Sequence, residues 1–232
     1  MLKLENINSY YGKSHILHDV ALSVDDGASV SVLGRNGAGK TTLLNTIIGS
    51  EVWYEGLSEF DGEDISSLAT FERIRKGIAF VPEDRGIFHN LSVEDNLRLA
   101  TFAHKTTKIQ KLTEVLEFFP VLTRLMKRKG DTLSGGEMQM LAIARGIITN
   151  PKLLLLDEPT EGLAPLIVDE LSQILIDIKQ IVRSMLVVEE NIKVIMKICE
   201  WHYILDKGRI EVAGATDYFE SHEDEINEHL GV

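Results

Sequence analysis

The stretch Gly34-Arg35-Asn36-Gly37-Ala38-Gly39-Lys40-Thr41-Thr42 constrains this chain more than any other. It follows Ala28-Ser29-Val30-Ser31-Val32-Leu33, an apolar-rich run that reads as a buried strand. It leads into Leu43-Leu44-Asn45-Thr46-Ile47-Ile48, which reads as a helix stopped by Gly49. Strand, glycine-rich loop and helix, in that order, frame a phosphate-binding loop. The glycines let the backbone bend and turn its N–H groups toward phosphate oxygens. The new helix adds its positive end. In this pattern Lys40 reaches the β- and γ-phosphates and the Thr41 hydroxyl ligates Mg²⁺. The bland alternative, a glycine-rich turn without function, does not account for the full pattern in this setting. Residues 34–42 are therefore the candidate site for a nucleoside triphosphate.

Composition narrows the classes. At 232 residues and 44% hydrophobic, the chain has enough apolar content for a proper core. No apolar run approaches the ~18 residues of a membrane span. Met1-Leu2-Lys3-Leu4-Glu5 alternates and carries an acid, unlike a signal peptide. One cysteine, Cys199, allows no internal disulfide and fits a reducing, cytosolic setting. It lies in an apolar helical run and reads as a small core residue. The net charge is −12, from 36 acids and 24 bases. That disfavours nucleic acid and anionic lipid as broad-surface partners.

Taken in order, residues 2–8 and 16–24 read as strands, joined by a turn at Tyr10-Tyr11-Gly12-Lys13. In the second strand Ile16, Val20, Leu22 and Val24 share one parity. Two strands ahead of the phosphate loop predict an antiparallel β-layer before a parallel core. Residues 49–70 read as polar and rich in Gly and Asp, with Trp53 in a turn-rich segment. Ile78-Ala79-Phe80-Val81 is the next buried strand. Ser92 caps a helix with acids in its first turn. Ile109, Leu112, Val115, Leu116 and Phe119 fall at helical spacing up to Pro120. A helical block of roughly 88–130 is thus inserted between strands. Leu153–Leu156 and Leu186–Val188 are further buried strands, Tyr203-Ile204-Leu205 turns at Lys207-Gly208, and the acidic tail 217–230 reads as helical. This alternation predicts an α/β fold with a mostly parallel sheet, whose ligands bind beyond the C-terminal strand ends. The loops after Leu33, Val81, Leu156 and Val188 are those ends.

Asp157 closes a run of four leucines, where a carboxylate can hold Mg²⁺ on the β- and γ-phosphates. Glu158 follows; in an extended strand end it points the other way and can deprotonate an attacking water. Leu133-Ser134-Gly135-Gly136-Glu137 opens another helix with two glycines and a hydroxyl, a second phosphate-binding helix start.

At this point the chain resembles the ATP-binding subunits of ABC transporters. The phosphate loop (Walker A), the signature Leu133–Glu137 and the segment Leu153–Pro159 occur in that family's order, and the resemblance covers essentially the whole chain. It implies a P-loop ATPase cassette over 1–232, with a helical subdomain over roughly 88–145. It implies ATP and Mg²⁺ as ligands, and head-to-tail dimers in which Ser134, Gly135, Gly136 and Glu137 act in trans on the partner's ATP. Tyr11 matches the family's aromatic that stacks on adenine; Tyr10 is its rival. Partners implied are two membrane-spanning permease subunits, a second ATPase that is the same or different, and indirectly an extracytoplasmic substrate-binding protein, on the cytoplasmic face of a membrane. The loop after Glu83 and the helical block are where family members receive a coupling helix of the permease; Phe88 and Leu91 either meet it or pack inside the block.

Narrower resemblances point to importers. Val81-Pro82-Glu83, Glu158-Pro159-Thr160-Glu161-Gly162-Leu163-Ala164-Pro165 and Leu230-Gly231 look like ATPase subunits for branched-chain amino acids. Residues 10–17 and 33–37 are closer to the urea and short-chain amide branch. Exporters of lipid-type cargo and soluble, non-transport ABC ATPases share the catalytic parts. Two positions depart from the general pattern. Position 83 usually carries a glutamine that contacts Mg²⁺ and the attacking water; here it is Glu83. Position 190 usually carries a histidine that touches the γ-phosphate, and often glutamine in branched-chain-type subunits; here it is Glu190. A charged glutamate cannot donate a hydrogen bond and repels the phosphate. The catalytic set implied is Glu158, Glu83 and Glu190, the metal set Thr41, Asp157 and Glu83, and this site should turn over more slowly than its partner's.

Overall fold

The computed structural model describes residues 1–102 and 112–231. The helical position Ile109 lies outside the described residues. Two sheets organise the chain. β1 (Leu2–Tyr11), β2 (Ser14–Val24), β4 (Trp53–Phe60) and β5 (Glu63–Asp64) form an antiparallel sheet in the order β2-β1-β4-β5. β3 (Ser29–Leu33), β6 (Ile78–Val81), β7 (Leu153–Asp157), β8 (Ser184–Glu189), β9 (Trp201–Asp206) and β10 (Arg209–Ala215) form the other, in the order β10-β9-β3-β8-β7-β6. There β6, β7, β8, β3 and β9 run parallel, and β10 pairs antiparallel at the edge.

The parallel strands explain their own sequences. β3, β7 and β8 are buried along their whole length, which fits their largely apolar sequences. Alternate residues serve opposite cores. Leu153 and Leu155 join the core shared with the antiparallel sheet, whereas Leu154 and Leu156 join the core on the other face. The helix after the phosphate loop, α1 (Lys40–Ile48), packs in the first core, and every residue of it except Thr41 is buried. Its C-terminal end is held by Arg73 on α2 (Thr70–Lys76). This buried guanidinium donates to the carbonyls of Thr46 at 2.8 Å and Ile47 at 2.9 Å, and also to Leu68 O, Ser66 O and Tyr54 Oη.

The second core gathers α3 (Val93–Phe102), α4 (Leu112–Phe118), α5 (Pro120–Leu125), α6 (Gly135–Ile147), α7 (Pro165–Asp177) and α8 (Ile192–Ile198). Ser92 caps α3 by accepting from Asp95 N at 3.0 Å. Pro120 does not simply end a helix. It occupies the first turn of α5, where its missing N–H costs nothing. The tail forms α9 (Thr216–Ser221) and α10 (Glu223–Leu230).

Three local readings are corrected. Residues 49–70 hold β4 and β5, with Trp53 opening a strand rather than sitting in a turn. Acids on the solvent side and Gly56 hid the strand pattern; a Cβ at Gly56 would lie 2.7 Å from Glu5 O. β1 continues through Tyr11, so the hairpin turn is only Gly12-Lys13. In β2 the buried position is Leu17, not Ile16, because the β1–β2 register shifts there and Asp19 sits at φ +51°.

Candidate active site

Four loops meet at the C-terminal ends of adjacent parallel strands β3, β8, β7 and β6. The first is the phosphate loop. Gly37 and Gly39 adopt φ +81° and +111°, which L-residues resist. A Cβ on Gly34 would strike the Leu205 carbonyl. Ala38 is buried and its N–H bonds Arg35 O at 3.0 Å, closing the loop. Thr42 is buried behind it, with its carbonyl taken by the Thr46 hydroxyl. Lys40 folds back inside and donates to Gly34 O at 2.7 Å and Arg35 O at 3.1 Å.

The loops after β7 and β8 bring acids to that lysine. Glu158 Oε1 lies 3.0 Å and Glu190 Oε1 3.1 Å from Lys40 Nζ. Asn36 Nδ2 donates to the other Glu190 oxygen at 3.4 Å. Glu158 is not an extended strand end. It sits at φ +44°, with its N–H on Val188 O at 2.8 Å, and this left-handed step turns the nearly buried carboxylate onto Lys40. Burial opposes the Glu158 charge, but hydrogen bonds from Glu161 and Lys40, with the Lys40 charge, outweigh it and hold the carboxyl below the usual range. Glu161 takes the opposite shift, to about 7, through its hydrogen bond with Glu158, its own desolvation and the surrounding acids.

Asp157 is 1% exposed, and burial pushes its carboxyl up to about 6, with Glu158 and Glu83 adding to the rise against the Thr41 hydrogen bond. Thr41 Oγ1 donates to Asp157 Oδ1 at 3.5 Å, while Asp157 Oδ2 is buried with no partner among the described residues. An orphaned carboxylate oxygen beside a hydroxyl fits Mg²⁺, which takes one or two protein oxygens and fills its shell with water and phosphate. Glu83 stands exposed after β6; its charge reaches Asp157 and Glu161.

The adenine candidates separate. Tyr10 is covered by His15 and Trp53, at ring distances of 4.3 and 4.8 Å. Tyr11 lies on the α1 side, its hydroxyl accepting from Asn45 Nδ2 at 3.0 Å, and is 38% exposed. The signature residues are not brought to the phosphate loop of the same chain. The cleft of about 1060 Å³ beside Gly34, Glu158 and Glu190 is walled by α8 and α10 and includes none of residues 134–137. Instead Ser134 caps α6 in a box with Glu137: Ser134 N bonds the Glu137 carboxylate at 2.7 Å and Ser134 Oγ accepts from Glu137 N. Gly136 is pressed against Ile167; a Cβ there would lie 2.6 Å from its Cγ2.

Sequence reasoning missed Glu189 and Thr160, which knit the β7 and β8 loops together. It also missed Asn45 beneath Tyr11. Their only trace was adjacency to named motif residues, since a hydrogen bond across 29 positions leaves no spacing.

A model of the ABC transporter family matches residues 17–161. The chain belongs to the ABC transporter family. It is 41% identical over 211 residues to the high-affinity branched-chain amino acid transport ATP-binding protein BraG of Pseudomonas aeruginosa, covering 90% of this chain and 91% of BraG. It is 33% identical over 235 residues to the lipopolysaccharide export system ATP-binding protein LptB of Haemophilus influenzae, covering 100% and 97%. Among solved structures, an ATP-binding subunit of an ABC transporter superposes at TM-score 0.84 with 26% identity over both whole chains. A dimeric cassette bound to ADP and Pi in a post-hydrolysis state matches at 0.81 and 27%, covering 93% of this chain and 99% of that one. The ABC cassette fold and ATP hydrolysis coupled to transport follow for this chain.

Proposed function

We propose that the chain is the ATP-hydrolysing subunit of an importer for branched-chain amino acids, urea or related amides, and that residues 1–232 form one cassette with the helical subdomain over roughly 88–145. The importer reading rests on the 41% identity to BraG, against 33% to LptB. Export of lipid-type cargo is the second reading, favoured by the LptB match along the entire chain.

The hydrolytic reading rests on one arrangement: Glu158 and Glu190 each within 3.1 Å of Lys40 Nζ at the end of the phosphate loop. The backbone of residues 34–42 cradles the phosphates, Lys40 neutralises the transferring group, and Tyr11 stacks on adenine. Thr41 and Asp157 would hold Mg²⁺, which would supply charge neutralisation to the phosphates. Released from Lys40 by the incoming phosphate, Glu158 accepts the proton of the attacking water. Ser134, Gly135 and Gly136 offer their helix-start donors to the ATP of a second ATPase subunit, with Glu137 fixing that helix start. A groove of about 390 Å³ beside Pro82, Arg85 and Arg145 receives a permease helix. Phe88, 47% exposed, lies under the guanidinium of Arg145, which lines this groove, and Leu91 is half-buried.

Uptake assays test the cargo. In cells lacking this chain, loss of labelled leucine or urea uptake, restored by the intact chain and not by Lys40→Ala, is the expected result. Normal uptake of every such solute, with lipid cargo held at the inner membrane, would replace import with export.

A further inference from the structure

One deeply buried acid at the cleft has no cation partner among the described residues. Glu189 is 3% exposed at the last position of β8. Oε2 accepts from Thr160 N at 3.2 Å and Thr160 Oγ1 at 2.7 Å. Oε1 accepts from Glu190 N at 2.9 Å and Asn191 N at 3.3 Å. A buried carboxylate without a counter-ion persists only when its lone pairs are filled by donors, and here four donors fill them. Those donors belong to two different loops. Thr160 lies two residues beyond Glu158; Glu190 follows Glu189 directly, and Asn191 caps α8 by accepting from Lys193 N at 3.1 Å.

We propose that Glu189 is a positioning residue for hydrolysis: its carboxylate locks the β7 loop that carries Glu158 to the β8 loop that carries Glu190, so that both acids address Lys40 as one rigid unit. This rests on the reading of Glu158 as the base. The left-handed Glu158 is a conformation that needs outside support, and its N–H on Val188 O together with the Thr160 anchor supplies it on both sides. Glu189 touches neither phosphate nor water in this account. It fixes the distance between the group that takes the proton and the group that faces the γ-phosphate, and a small misplacement there costs rate rather than affinity.

The isosteric change Glu189→Gln is the probe. Its NH₂ must face either Thr160 N or the pair Glu190 N and Asn191 N, so at least one buried donor loses its acceptor in either flip. The experiment measures steady-state hydrolysis and ATP affinity of the full chain as Glu189→Gln, Thr160→Val, the double variant and Glu158→Gln. Glu189→Gln and Thr160→Val are each expected to lower kcat at least tenfold, with ATP KM within about threefold of wild type. The double variant should fall little below the worse single, because both cut the same tie. Wild-type kcat in Glu189→Gln, a loss expressed equally in KM, or fully multiplicative losses in the double variant would each overturn the proposal. Near-normal hydrolysis by Glu158→Gln would instead remove the base assignment beneath it.

Discussion

Lys40 holds Glu158 and Glu190 at nearly equal distance, and that symmetry sets the residue-scale expectations. An arriving γ-phosphate competes with both carboxylates for one ammonium. Glu190 cannot repay the displacement with a hydrogen bond, whereas glutamine or histidine can donate one. Glu190→Gln or Glu190→His should therefore raise turnover several-fold; equal turnover in both would remove Glu190 as a brake. Glu158→Gln keeps the shape but not the base, so hydrolysis should drop at least about a hundredfold while ATP still binds. Lys40, Thr41 and Asp157 were legible because their motif fixes residue type, spacing and chemistry together. The left-handed turn of Glu158 was not: φ +44° at a glutamate is imposed by neighbouring strands and leaves no composition signal.

At the scale of elements, helix α1 carries the phosphate loop and depends on partners at its far end. Arg73→Met would leave the Thr46 and Ile47 carbonyls without their donor. We expect a loss of about 3 kcal/mol, or about 6–12 °C in Tm, by thermal unfolding. An unchanged Tm would mean that α1 is held by apolar packing alone. On the opposite edge, His202 is buried between β3 and α9, hydrogen-bonded to Ser31 Oγ at 2.7 Å and Thr216 Oγ1 at 2.9 Å. Burial pushes it down from 6.5 to about 4, against the pull of Glu200. The unfolded chain binds this proton more readily than the folded one. The contribution is thus complete above pH 6.5 and lost as pH falls toward 4, about 3 kcal/mol in all. Denaturant unfolding across that window should show the slope, and His202→Gln should flatten it; an unaltered slope assigns the acid sensitivity elsewhere. The parallel strands were readable because runs buried on both faces are apolar at most positions, as in the four leucines of β7. β4 and β5 escaped because solvent-facing acids and Gly56 break their alternation, and the β2 register escaped because a bulge at Asp19 reverses its parity.

At the scale of the whole molecule, the phosphate loop and the signature helix α6 present separate surfaces, since the cleft beside Lys40 takes nothing from residues 134–137. A related cassette is dimeric with ADP and Pi bound. A Glu158→Gln chain should accordingly form an ATP-dependent pair, with itself or with a second ATPase, that wild type loses as it hydrolyses; a signature change, Ser134→Arg, should abolish the pair without weakening ATP binding to the monomer. No helix among the described residues is long and apolar enough to cross a membrane. The most direct measurement is to isolate this chain from native membranes and identify what accompanies it. Two multi-span proteins and an ATPase partner, with ATP hydrolysis in the complex, are the predicted result. Recovery of the chain alone from the soluble fraction, or bound to ribosomes or DNA, would contradict it.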